Sequence, residues 1–313
     1  MVRSFVLVAA MGVLVTLSLA SAFTHNCAHD VVMKDVKLGT IDVALDVTAG
    51  YQPLRVVSIY STLPADIKNT LVEQRIQSFT DTAAKKLGVS VSAVYPAGPL
   101  KFFMAGGQCD SISVPADHIS TGVSNADLVV YVTYMQTTVC DGADNKSSSD
   151  DAAAYAVPCL LETGSNKPRF ARLNYCPSQF KEETTGSTVL ADKWRGVALH
   201  ELLHALGFGN DFFSGKFAKK IAFPVTGSAP ERNYSEMRGS NVIEKTKEHF
   251  SCDTATGFPL ETAGGAATVN SHWSKRFVMN EVMNAESTYA PLLSAMTLAA
   301  LGDLQDITTG ATW

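Results

Sequence analysis

The strongest constraint on what this chain can fold into is five residues long. His200-Glu201-Leu202-Leu203-His204 sets two imidazoles four positions apart, with a glutamate beside the first. Residues 189–206 around it are spaced as a helix: Val197, Leu199, Leu202, Leu203 and Leu206 are apolar, and Gly207 stands where a left-handed residue can end it. Four residues advance an α-helix by about 400° and about 6 Å, so both imidazoles leave one face and can share one Zn2+ at about 2.0–2.1 Å each. Glu201 projects beside them, where it can take a proton from water and pass it to a leaving amine. With 7 histidines in 313 residues, this spacing has a chance expectation below about 0.01 matches.

A catalytic zinc needs a third protein ligand. The pattern HExxHxxGxxH would place it at position 210; Gly207 fits that pattern, but position 210 is Asn210. His249 and His272 are the downstream candidates. His249 ends the charged run Glu244-Lys245-Thr246-Lys247-Glu248-His249, which reads as a solvated helix face, whereas His272 follows the small, Gly/Ala-rich residues 262–268. The residues alone leave both open.

Composition limits the setting of this chemistry. At 46% hydrophobic and 18% charged residues the chain is ordinary globular material, which excludes disorder, collagen and coiled coil. A net charge of −5 with no basic stripe excludes a nucleic-acid surface. Arg3, an apolar run over residues 5–20 and then Ala20-Ser21-Ala22 predict a signal peptide over residues 1–22. No other apolar run approaches membrane-spanning length, and Asn145 and Asn233 begin sequons that fit an exported glycoprotein. Six cysteines suit a secreted enzyme with a real core and a few staples.

Strands are predicted over residues 55–60, where β-branched and aromatic types concentrate, and over residues 127–134 and 169–175. Leu63-Pro64-Ala65-Asp66 reads as the start of a long helix carrying Ile67, Leu71, Val72, Ile76, Phe79, Ala83 and Leu87, with Gly88 as its left-handed stop. Residues 141–151 read as an exposed loop, residues 210–250 as a mixed, loop-rich region, and residues 292–301 as a last helix opened by Pro291 and closed by Gly302.

The run from His200 to Phe208, then Ser271-His272-Trp273, then Asn280-Glu281-Val282-Met283, resembles the leishmanolysin family, the zinc surface proteases of trypanosomatids. The resemblance extends to Cys109, to Val114-Pro115-Ala116-Asp117-His118-Ile119, to Ser124-Asn125-Ala126-Asp127 and through the last helix, covering most of residues 100–307. These are metzincins with an insertion between the second and third histidines. The resemblance implies that His272 joins His200 and His204 as third zinc ligand, that Glu201 is the catalytic base, and that Met283 is the methionine of the turn beneath the metal. His25-Asn26-Cys27-Ala28-His29-Asp30 resembles the family's propeptide motif, in which a cysteine thiolate occupies the open zinc position. A disulfide is the bland alternative for Cys27; with Cys27 set aside as a switch, five cysteines remain, an odd number. Cys109 with Cys159 resembles a family bridge, Cys140 with Cys176 is a conjecture, and Cys252 is left over, its family partner lying past position 313.

The implied fold is α+β and metzincin-like: a twisted mixed sheet with a backing helix and the HExxH helix, then a loop-rich and helical C-terminal subdomain. The expected organisation is a signal peptide (1–22), a propeptide-like segment with the cysteine switch (23–50), an N-terminal catalytic subdomain (51–209), and an insertion plus C-terminal catalytic subdomain (210–313). The implied function is a metalloendopeptidase with one catalytic Zn2+, made as a zymogen and acting on proteins or peptides. It is expected as a monomer, secreted or at the cell surface, with membrane association left open. The alternative is a non-catalytic surface adhesion or decoy protein that keeps the fold and the zinc; an intact Glu201 argues against it. An intracellular aminopeptidase with a downstream Glu ligand conflicts with the signal peptide and with Gly207.

Overall fold

The computed structural model describes residues 27–141, 152–180, 188–213, 218–223, 232–263, 268–286 and 288–304. The predicted signal peptide, the sequon at Asn145 and most of the loop read over 141–151 lie outside them. Its centre is a five-stranded sheet made of β1 (Gly39–Ile41), β2 (Val56–Ile59), β3 (Leu128–Tyr134), β4 (Ala154–Glu162) and β5 (Pro168–Tyr175), in the order β1-β4-β5-β3-β2. β2, β3 and β5 run parallel, β4 is antiparallel to β5, and β1 adds a short parallel edge beside residues 160–162 of β4. A mixed sheet covered on both faces explains why β3 reads as an almost unbroken apolar run rather than an alternating one.

Period-two geometry divides those strands between two cores. Leu128, Val130, Val132, Ala171 and Leu173 face α2 (Leu71–Ser90), through Ile76, Phe79, Ala83 and Leu87, and α3 (Thr188–Ala205), through Leu199, Leu202 and Leu203. Val129, Tyr131 and Phe170 face the other way, against Leu100, Phe102 and Val114. Fully burying a side chain of this size contributes about 1.5–3 kcal/mol. The Cys109–Cys159 disulfide ties that second layer to β4 across 50 residues of chain, and closing a loop of this length removes about 4 kcal/mol of unfolded-state entropy in the chain-entropy view. A second bond joins Cys140 and Cys176.

Several expected boundaries move, each for a local reason. Residues Ala65–Ile67 form a single 3-10 turn, and α2 begins only at Leu71, because Thr70 accepts from the Glu73 backbone N–H and caps it. Gly88 does not end α2; it is helical, and a Cβ there would come within 2.9 Å of the Leu54 carbonyl oxygen. The glycine permits a close approach rather than a turn. The last helix, α5 (Ala295–Asp303), starts three residues later than expected and includes Gly302. Ser294 caps it by accepting from the Thr297 N–H, while Leu292 is held extended against Glu281.

The region read as loop-rich contains regular structure. β6 (Ala218–Phe223) pairs antiparallel with β7 (Arg232–Met237), which pairs with β8 (Phe258–Pro259), and α4 (Ser240–Phe250) packs on α5 through Val242, Thr246, Met296 and Ala300. Asp303 accepts the N–H groups of Asn241 and Val242 at the start of α4. The hydrophobic period of this region is interrupted by charge, so its order comes from pairing and caps that periodicity does not register. No helix among the described residues is long and apolar enough to cross a membrane.

Candidate metal centre

α3 ends in a Schellman turn: Gly207 takes φ 99°, its N–H donates to the His204 carbonyl, and Phe208 N–H donates to the Leu203 carbonyl. A side chain is strained at that φ, so glycine is the residue the turn asks for. The turn aims the Phe208 carbonyl at His204, whose Nδ1 donates to it. His200 Nδ1 donates to the Val282 carbonyl at 2.7 Å, and His272 Nδ1 to the Thr268 carbonyl at 3.1 Å. A carbonyl only accepts, so each Nδ1 carries the proton and each Nε2 presents a bare lone pair.

Those three lone pairs converge. His200 and His204 Nε2 lie 3.0 Å apart, and His272 Nε2 lies 3.2 Å from both. Cys27 Sγ is 3.2 Å from His204 Nε2. The four atoms all lie within 4.8 Å of one another, and all four residues are buried. Three acceptors facing each other with no proton between them repel unless a cation sits among them. Tetrahedral nitrogen ligands at about 2.0–2.1 Å from one ion would stand about 3.3–3.4 Å apart, close to what is observed, and a Cys/His3 donor set suits Zn2+. The residues therefore fit zinc.

Burial sets the electrostatics. It holds His204 well below the ordinary imidazole value, so the ring stays neutral and ready to ligate. Burial also pushes the Cys27 thiol well up, with the neighbouring Glu201 carboxylate adding to the effect, so a thiolate here needs a cation beside it. Glu201 is raised by burial to about 8, opposed by His200 and by the backbone N–H of Ala156 in β4. Because burial opposes protonation of His204, bound zinc is expected to stay in place to a lower pH than exposed imidazoles near pH 6.5 would allow, leaving below about pH 6. A metallochromic dye followed during acid titration reads this directly; release at pH 7 would contradict it.

The short helix α1 (His29–Met33) closes over the cluster. Its His29 ring stacks on His204 at 4.2 Å, and His29 Nδ1 donates to the Ala156 carbonyl at 2.6 Å. Ser271, next to His272, donates its hydroxyl to Asp30. A Cβ at position 209 would come within 2.6 Å of His29 Nε2, so Gly209 leaves the room this ring occupies.

Met283 is fully buried, and its carbonyl accepts from the N–H of Trp273, the residue after His272. His249 sits exposed at the end of α4, apart from the cluster, and Cys252 is an exposed free thiol. Asn233 lies in β7, paired with Ala222. Sequence reasoning assigned no role to His29, Asp30, Ser271 or Glu281, nor to the carbonyls of Val282, Phe208 and Thr268. His29 and Asp30 lie in the motif around Cys27, but only the folded chain brings them to Ala156 and Ser271.

A family model described as leishmanolysin matches residues 62–308. The leishmanolysin homolog of Crithidia fasciculata is 31% identical over 196 residues, 63% of this chain and 27% of that protein. The leishmanolysin-like peptidase of Drosophila pseudoobscura pseudoobscura is 28% identical over 229 residues, 62% of this chain and 31% of its own length. The leishmanolysin of Leishmania major is 27% identical over 205 residues, 64% and 30% respectively. The chain thus spans 27% to 31% of the length of these three relatives.

Proposed function

Because the chain belongs to the leishmanolysin family, a zinc metalloprotease family, we propose that it is a zinc-dependent endopeptidase held silent by its own Cys27. The observation that carries the reading is the buried meeting of His200, His204 and His272 beside Glu201, all three imidazoles already in the ligating tautomer. In this reading the three histidines hold the metal, and residues 51–209 and 210–313 are the two halves of a metzincin-like catalytic unit. Zinc bound there would polarise a scissile carbonyl and acidify water.

The remaining work falls to the chain. Glu201, buried beside His200, takes a proton from water and delivers it to the departing amine. β1 pairs with β4 only at residues 160–162, so the outer edge around Ala156 is available to an extended substrate backbone once α1 withdraws. While α1 stays, His29 takes the Ala156 carbonyl and Cys27 takes the fourth position at the cluster. The predicted signal peptide and sequons support secretion to an extracellular or cell-surface site, where protein or peptide substrates would be met.

The test is hydrolysis of casein by the purified chain, with and without a thiol-reactive activator and a chelator. Activity that appears with the activator and disappears with the chelator supports the reading. Protein that binds one zinc per chain yet stays inactive after activation would favour a non-catalytic binder. In the same assay Cys27→Ser is expected to be active with no activator; a silent, zinc-loaded Cys27→Ser would defeat the switch.

A further inference from the structure

Glu281 is a buried carboxylate, 3% exposed, that the chemistry above does not use. Among the described residues it makes no ion pair with Lys, Arg or His. A charge so placed is retained only if hydrogen bonds replace its water, and here four donors converge on it. Oε2 accepts the backbone N–H of Met283. Oε1 accepts the backbone N–H of Ser294 at 3.2 Å, the Ser294 hydroxyl at 2.9 Å and the Thr297 hydroxyl at 2.5 Å.

Two of those donors, the Met283 N–H and the Thr297 hydroxyl, lead towards the histidine cluster. Holding Glu281 and Met283 together fixes the turn whose middle residue, Val282, presents the carbonyl that receives His200 Nδ1. The Thr297 hydroxyl that donates to Glu281 itself accepts from Trp273 Nε1 at 2.8 Å, and Trp273 follows His272 in the chain. Trp273 N–H in turn donates to the Met283 carbonyl at 3.0 Å, closing the ring of contacts. One carboxylate therefore anchors the backbone beside two of the three imidazoles, and ties both to the start of α5.

Building on the zinc-site reading, we propose that Glu281 is a positioning residue of the metal centre: it sets the orientation of His200 through the Val282 carbonyl and of His272 through Thr297 and Trp273. It touches neither metal nor substrate. Groups that orient ligands in this way typically change metal affinity or activity by about 10–100-fold when altered.

Glu281→Gln keeps the volume but leaves one acceptor where there were two, so either the Met283 N–H or the Ser294 side faces an amide NH2. Asp303→Asn is the comparison, because Asp303 is also a buried carboxylate accepting two backbone N–H groups, but at the far end of α5, on α4. On the full chain, zinc affinity is read by competition with a chromophoric chelator, and ligand geometry by the visible spectrum of the cobalt-substituted protein. Thermal unfolding of the metal-free protein gives the purely structural effect.

Both variants are expected to melt earlier, but only Glu281→Gln should weaken zinc, by about 10–100-fold, and move the cobalt bands. Affinity and spectrum matching those of Asp303→Asn would overturn the proposal. Should Glu281→Gln not fold, Thr297→Val tests the same link: a several-fold loss of zinc affinity with altered cobalt bands supports it, and wild-type values overturn it. Wild-type chain that takes up no zinc would overturn the metal-site reading as well, whereas normal wild-type binding with unaltered variants would sink the role of Glu281 alone.

Discussion

Glu201→Ala is expected to lower casein or peptide hydrolysis by the activated protein by about 10²–10⁴-fold or more, the range that a positioned general base supplies, while one zinc per chain remains bound. The reason is geometric. Glu201 lies between His200 and His204 in sequence but is not one of the four groups that meet at the cluster, so removing its carboxylate takes away a proton acceptor without removing a donor from that cluster. Zinc content by atomic absorption and initial rates on the same preparation separate the two effects. A mutant that keeps its rate would show that proton transfer runs elsewhere, and a mutant that loses its metal would make Glu201 structural. Because α3 is buried on nearly every side over residues 191–205, Glu201→Gln, which keeps the volume, should accompany the alanine.

His272→Ala should have the largest effect on the metal itself. With only His200 and His204 left from the open site, zinc affinity is expected to fall by more than the 10–100-fold that loss of an outer-shell partner brings. His249→Ala, at the exposed end of α4, should leave affinity unchanged. Equilibrium competition with a chromophoric chelator, run in the Cys27→Ser background so that the thiol does not stand in for the missing imidazole, decides it. Full occupancy in His272→Ala would reject the third-ligand assignment. Equal losses in both variants would mean that the effect is one of folding rather than ligation.

The two predictions rest on information of different kinds. The His200, Glu201 and His204 arrangement is local: a helix of 3.6 residues per turn sets positions 200 and 204 on one face whatever surrounds it, and Gly207 meets the backbone demand of the turn that ends it. The strand at 128–134 was legible for a similar reason, since a long run of β-branched and aromatic residues has few other uses. Element ends were less so. Gly88 in a helix and Gly207 ending one look alike in a sequence; what distinguishes them is the Leu54 carbonyl beside the first and the free turn after the second. β4 escaped notice because Ala152, Ala153, Ala154 and Ala156 carry no period and little β preference. It is a strand because β5 offers it a partner along nearly its whole length.

Long-range closure was beyond any periodic signal. His249 and His272 are equally histidines in the sequence, and spacing alone did not choose between them; the choice comes from α4 packing on α5, which leaves His249 outside, while the Glu261, Thr268 and Met283 contacts draw the segment of His272 inward. Cys27 reaches His204 across 177 positions only because α1 docks by a ring stack, an Ala156 carbonyl and a serine hydroxyl. What the sequence by itself determined is the chemistry on offer: two imidazoles and a carboxylate on one helix, with the glycine to end it. What only the tertiary structure decided is which distant groups complete that chemistry and which close it off, because those depend on contacts whose sequence separations no local pattern encodes.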